Sequence, residues 1–362
     1  MVDKKGIGVI RMLKKFSIVL LSVVMLIGCS DKRPTLHIYT WADYIDPDVV
    51  QAFEDKYCCK VCVDVFDSNE AMFAKLKSGA AGYDLITPTS YFINVLVEND
   101  IIQELDTNRL QVAMKHFDSK YNDKIYQPIF KYTVPYTISY GCLFYNKSKV
   151  AAEDVQSFGV FMNPKYKGRV SILDDIRETI GFGLMANGFS MNSESEKELL
   201  KAVEFVTACK QNIRKFDNES YKTEVANGST YVAYGYSGDC LQVILGESDN
   251  DGRPDLAIAY PKEGFTVSCD EFAIMKDAEN ADLAYDFINF IYETANCKKN
   301  MEYILSLTPQ SEAEAELDET VRASLSLDEE TLKRGQVTAD FSKKKDVLEM
   351  YNRMWDKIKE VK

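Results

Sequence analysis

The chain has 362 residues, 43 basic and 56 acidic, with a formal net charge of −13 and nine cysteines. With 46% apolar and 27% charged residues it has the composition of a globular protein, which excludes a mostly disordered chain, and its length suits about two domains at roughly 100–200 residues each. Neutralising phosphates takes clustered Lys and Arg that this sequence does not show, which argues against a nucleic-acid binder; a cationic partner is accommodated more easily.

Residues 1–15 carry Lys4, Lys5, Arg11, Lys14 and Lys15 against the single acid Asp3, and the uncharged run Phe16 to Gly28 follows. A membrane-crossing helix needs roughly 20 apolar residues, so this shorter run reads as a signal peptide. It ends in Leu26-Ile27-Gly28-Cys29, which resembles the bacterial lipobox; Cys29 is expected to become the first residue after cleavage and to carry a diacylglyceryl group. Removal of residues 1–28 takes five positive charges and one negative with it, leaving a net charge of −17. The body is expected to be periplasmic and held to the cell membrane by lipid alone.

Strands and helices alternate from residue 35. Thr35 to Thr40 reads as a strand, Pro47 to Tyr57 as a helix with Pro in its first turn, and Val61 to Phe66 as a second strand. Ala71, Met72 and Leu76 fall at helical spacing after Ser68-Asn69, Gly79 supplies the stop, and Tyr83 to Thr87 is a third strand. This order predicts a largely parallel sheet with helices on its faces and ligands beyond the carboxyl ends of its strands. Further strands are predicted at 134–145, 169–173, 231–236, 256–260 and 271–275, and helices at 194–211, 280–303 and 340–359.

Enzyme signatures are sparse. His37 and His116 are the two histidines, Gly235-Tyr-Ser237-Gly238 falls one residue short of a nucleophile elbow, and no phosphate-cradling glycine loop is present, so neither catalysis nor a cofactor is expected. Eight cysteines follow Cys29, an even number that an oxidising compartment could pair, with no connectivity legible. Cys59-Lys-Val-Cys62 has the spacing of a zinc or redox motif, but no second pair or histidine cluster completes it, and no metal is expected.

Aromatic and acidic residues do gather at predicted strand ends: Trp41, Asp43 and Tyr44 after the first strand, Thr89 and Tyr91 after the third. Aromatic faces attract ammonium groups by about 0.5–2 kcal/mol per contact, and carboxylates hold the same groups through charge-assisted hydrogen bonds. Singly, each ring also fits simple packing at a domain rim.

The stretches Leu36-His-Ile-Tyr-Thr-Trp41-Ala-Asp43-Tyr44, Ser68-Asn-Glu-Ala-Met72-Phe-Ala-Lys-Leu76, Tyr83-Asp-Leu-Ile-Thr-Pro-Thr89-Ser-Tyr91, Asp174-Asp175-Ile-Arg-Glu178 and Pro261-Lys-Glu-Gly264 with Asp270 are similar to the spermidine/putrescine-binding proteins of bacterial ABC importers. The resemblance runs from about residue 35 to the C-terminus. It implies an α/β fold of the periplasmic-binding-protein type II kind, with two lobes and a ligand cleft between them. Lobe I would comprise 35–137 plus 268–305, and lobe II 138–267 plus 306–362. It further implies a monomer that binds spermidine and/or putrescine and delivers it to a membrane permease. A surface lipoprotein adhesin or sensor subunit on the same fold is the alternative.

By position, the resemblance makes Trp41, Asp43, Tyr44, Thr89, Tyr91, Asp175, Glu178, Tyr236 and Asp270 the ligand-binding residues. Asp43, Asp175, Glu178 and Asp270 would meet the ammonium groups, and the rings would line the methylene chain. Asp175-Ile-Arg-Glu178 also has the spacing of a helix capping box, and both readings stand. Two departures matter. Ser268 and Ser306 replace aromatic residues of the family, which leaves the preference between spermidine and putrescine open unless Phe265 or Phe272 swings in as a substitute.

Overall fold

The computed structural model describes residues 33–246 and 252–360. The signal segment and Cys29 lie outside the described residues. Ten strands form one sheet: β1 (Thr35–Thr40), β2 (Lys60–Val65), β3 (Leu85–Ile86), β4 (Thr133–Asn146), β5 (Val170–Ile172), β6 (Ile213–Phe216), β7 (Val232–Tyr236), β8 (Leu256–Ala259), β9 (Phe265–Ile274) and β10 (Gly335–Val337). The helices that bear on the site and its cores are α1 (Pro47–Tyr57), α2 (Asn69–Lys77), α3 (Ile176–Ala186), α4 (Glu196–Cys209), α5 (Tyr221–Ala226), α6 (Ser237–Leu245), α7 (Ala281–Tyr292), α8 (Thr294–Ile304) and α9 (Lys345–Glu360).

Local chemistry explains the first βαβ unit. The Asp46 side chain accepts the Asp48 N–H at 2.7 Å, Pro47 opens the first turn of α1, and Cys58 closes the helix in the left-handed region. Ser68 caps α2 by accepting the Ala71 N–H at 3.1 Å. Both helices return the chain to strands that lie parallel to β1, on its two sides.

The sheet is mixed rather than largely parallel. Its path is β2-β1-β3-β9-β4-β7-β5-β6, and the two parallel groups are joined through β4 and β9, which run antiparallel to each other. Residues 133–140 of β4 pair with β9, and residues 141–146 pair with β7 and β8. All fourteen residues of β4 are buried, as befits a strand with partners on both sides. The direction of these long strands is set by pairing over more than a hundred residues, which local alternation does not encode.

The two largest apolar cores lie over different parts of the sheet. One gathers Leu36, Ile38 and Phe53 with Phe272, Phe287 and Ile291; the other gathers Phe158, Phe161, Phe182 and Tyr234 with Val206. Helix α9 joins the second core through Val347, Tyr351, Met354 and Ile358, at the 4-3-4 spacing of one helical face. The single helix expected over 280–303 is two, broken at Glu293, whose backbone is extended. The break has a packing reason: Phe287 and Ile291 of α7 enter the first core, whereas Cys297 and Met301 of α8 enter a separate cluster with Leu241 and Leu305.

Candidate functional site

The carboxyl ends of β1, β3 and β7, the first turn of α3 and the middle of β9 border one cavity that opens to solvent, about 880 Å³ with the space at its mouth included. All nine residues singled out in the sequence line it: Trp41, Asp43, Tyr44, Thr89, Tyr91, Asp175, Glu178, Tyr236 and Asp270. Ser268 and Ser306 line it as well. Phe265 and Phe272 do not swing in; both are fully buried in apolar clusters, so the two missing aromatic walls stay missing.

Asp270 is held by the sheet. It stands opposite Thr137 of β4 and forms a bridge with Thr89. The Thr89 hydroxyl donates to Asp270 Oδ1 at 2.7 Å and the Tyr44 hydroxyl donates to Oδ2, while Thr137 Oγ1 lies 2.5 Å from the same Tyr44 hydroxyl. Burial pushes the Asp270 carboxyl up to about 6, against the two hydroxyl donors that favour its ionised form. Burial also raises the Tyr44 hydroxyl well above its ordinary value, which keeps it a donor. Strand alternation sends the next residue, Glu271, away from the cavity to Ser90 Oγ (2.5 Å), Thr133 Oγ1 (2.6 Å) and the Tyr126 N–H (2.7 Å).

Asp175 and Glu178 show how one helix start serves two ends. Asp175 Oδ1 accepts the N–H groups of Arg177 (2.8 Å) and Glu178 (2.9 Å), so it is a true helix cap. The reciprocal half of a capping box does not form. The Glu178 carboxylate instead takes the Tyr234 hydroxyl at 2.9 Å and the Thr266 hydroxyl at 2.8 Å, both on Oε2. Oδ2 of Asp175 and Oε1 of Glu178 thus keep acceptor capacity beside the cavity. Burial first, and the neighbouring Asp175 charge second, push Glu178 up to about 7; burial likewise raises Asp175.

The aromatic walls are anchored by their polar atoms. The Trp41 indole N–H donates to the Thr87 carbonyl at 3.0 Å and its ring packs edge-on against Phe66. The Tyr91 hydroxyl accepts from Asn69 Nδ2 at 3.2 Å, and the Tyr236 N–H donates to the Tyr221 hydroxyl at 3.1 Å. Such fixed rings offer apolar area to a methylene chain and π faces to a cation.

Sequence reasoning missed the cavity's own cations. Lys222 on α5 reaches Asp43 Oδ2 at 3.0 Å, and Arg177 is buried with its guanidinium on the Ala339 carbonyl (2.8 Å) and Asn192 Oδ1 (2.9 Å). Arg177 stands within the Asp174–Glu178 stretch without a role assigned to it there, and no local pattern marks Lys222. Seven acidic side chains line the cavity against these two cations, so its field favours positively charged guests. Elsewhere, Cys142 and Cys240 are buried thiols with sulfurs 3.8 Å apart. Cys59 is buried and Cys62 exposed.

A long-stranded α/β sheet that frames one acidic, aromatic-walled cavity defines a solute-binding protein by its architecture. Residues 48–325 match the bacterial extracellular solute-binding protein family, and the chain belongs to that family. It is 30% identical over 333 residues to the putrescine/cadaverine-binding protein of Pseudomonas aeruginosa, covering 90% of this chain and 93% of the relative. It is 28% identical over 325 residues to the spermidine/putrescine-binding periplasmic protein of Escherichia coli, covering 89% and 91%. Among solved structures, the TpPotD lipoprotein of Treponema pallidum superposes with a TM-score of 0.78 at 28% identity, over 90% of this chain and 99% of that one.

Proposed function

We propose that this protein is the substrate-binding component of a polyamine ABC importer, taking spermidine and/or putrescine in the cleft and delivering it to a membrane permease. The observation that carries the reading is the convergence of Asp175, Glu178 and Asp270 with Trp41, Tyr44, Tyr91 and Tyr236 on one cavity. The carboxylates pair with separated ammonium groups and the rings cover the methylene chain between them. The names of the relatives support the same ligand class.

Lobe I is 35–137 plus 268–305 and lobe II 138–267 plus 306–362, with β4 and β9 as the crossing strands. Closure of the lobes removes water from the ion pairs and so strengthens them. The protein works as a monomer outside the cytoplasm, anchored by lipid on Cys29; the lipoprotein nature of the Treponema relative supports the anchor. Calorimetric titration of the chain from residue 33 onward with putrescine, spermidine and glutamate tests the ligand. Saturable binding of a polyamine and none of glutamate is expected; no heat with either polyamine overturns the reading.

A further inference from the structure

The Asp43 corner of the cavity already holds an ammonium group. Asp43 sits on the turn after β1 with φ 53°, and its carboxylate is 57% exposed yet paired with Lys222 Nζ at 3.0 Å. The lysine side chain is only 14% exposed. Asp239, in the first turn of α6 and bonded by the Tyr221 hydroxyl at 2.9 Å, and Glu219, just ahead of α5, act on the same ammonium. Burial works to lower the Lys222 pKa, but Asp239, Asp43 and Glu219 outweigh it and the net shift is upward, so the group is charged at neutral pH. Gln242 Nε2 also donates to the Asp43 carbonyl at 3.3 Å, fixing the turn from α6.

A primary ammonium on an aliphatic stem among carboxylates is the chemistry of one end of a polyamine. We propose that Lys222 is a specificity-determining residue: its ammonium fills the Asp43–Asp239 corner as a resident guest, leaving Asp175, Glu178 and Asp270 for the ligand and making the cleft select diamines over triamines. The inference rests on the polyamine reading of the same cavity. A diamine satisfies its two charges at these three carboxylates, none of which forms an ion pair with a described residue. The third ammonium of a longer ligand reaching this corner meets Lys222, a like charge, and finds its carboxylates already engaged. An exposed ion pair of this kind contributes little by itself; the covered lysine and its three acidic neighbours are what tie this one to the cavity.

The test is calorimetry with putrescine and spermidine on the unaltered chain, Lys222→Met and Lys222→Arg. The unaltered chain is expected to bind putrescine more tightly than spermidine. Lys222→Met is expected to shift the ratio of the two dissociation constants toward spermidine by about tenfold or more, the scale of a charge pair gained or lost in a partly covered site. Lys222→Arg, which keeps the charge, is expected to keep the original ratio. A preference for spermidine in the unaltered chain overturns the proposal without any variant having to fold. An unchanged ratio in Lys222→Met, or equal weakening of both ligands, also overturns it while leaving polyamine binding intact. Failure of the unaltered chain to bind either polyamine removes the functional reading itself.

Discussion

The backbone N–H of Glu178 donates to Asp175 Oδ1 at 2.9 Å, while the Glu178 carboxylate engages Tyr234 and Thr266 instead of returning to its cap. Neighbours on one helical turn are therefore fixed by different parts of the molecule, Asp175 by helix amides and Glu178 by two strands. Each keeps one carboxylate oxygen for the cavity. Fixing a carboxylate before the ligand arrives removes part of the ordering cost of binding.

The support under Glu178 depends on a missing side chain. A Cβ at Gly141 of β4 would lie 2.4 Å from both Thr266 Oγ1 and the Tyr234 hydroxyl. Gly141→Ala is therefore expected to displace the two donors, weaken polyamine binding by about tenfold or more, and destabilise the fold by about 1–3 kcal/mol. Chemical denaturation alongside ligand titration checks both effects; retention of full affinity would contradict the assigned role of the pair.

Asp270 is buried and accepts two hydroxyl donors, so its carboxylate is enclosed and oriented before a ligand arrives. Asp270→Asn is expected to weaken polyamine binding by more than tenfold, since losing one member of a buried charge pair typically costs about 2–5 kcal/mol. A dissociation constant equal to that of the unaltered chain would remove Asp270 from the site.

Proton linkage follows from Asp270 near 6 and Glu178 near 7. Both carboxyls are raised by burial, so below these values the unliganded site carries protons that an arriving ammonium must expel. Affinity is expected to increase as pH rises from 5 to 7.5, with proton release on binding near pH 6. Calorimetry in buffers of different ionisation enthalpy measures that release; flat affinity across the range would refute the linkage. Stability without ligand runs the opposite way: these two groups favour the fold below their unfolded values and lose that contribution as pH rises through 6 to 7.

Thiol reactivity reports on the sheet edge. Cys58 and Cys62 are exposed, whereas Cys142 and Cys240 are buried. A water-soluble thiol reagent is expected to label Cys58 and Cys62 in the native protein and to reach Cys142 and Cys240 only on unfolding. Peptide mapping of the labelled sites distinguishes the two pairs, and rapid native labelling of Cys240 would be inconsistent with this packing.

Local signals made the first βαβ unit readable: Asp46 with Pro47, Ser68, and the alternation in Thr35–Thr40 act over a few residues, and α1 has the predicted limits. The break at Glu293 was not readable, because the apolar spacing continues through it while the cores it serves change. The antiparallel pairing of β4 with β9 is likewise a property of distant segments. In the site, the motif residues converge as the family resemblance implies, yet Lys222 and Asp239 reach the cavity only through the packing of α5 and α6. Neither belongs to a motif, so only the assembled fold brings them to Asp43.

The registration of Asp270 opposite Thr137 also bears on how such a cleft can diverge. Because side chains alternate across a strand, inserting or deleting a single residue in β9 upstream of this position would rotate the carboxylate to the reverse face and bring Glu271 or Cys269 in its place. Loop length is open to drift, but strand length here is not: a lineage that retains this anion is constrained to point substitutions along β9, and its ligand preference is open to exchange at lining positions such as Ser268, Ser306 and Lys222.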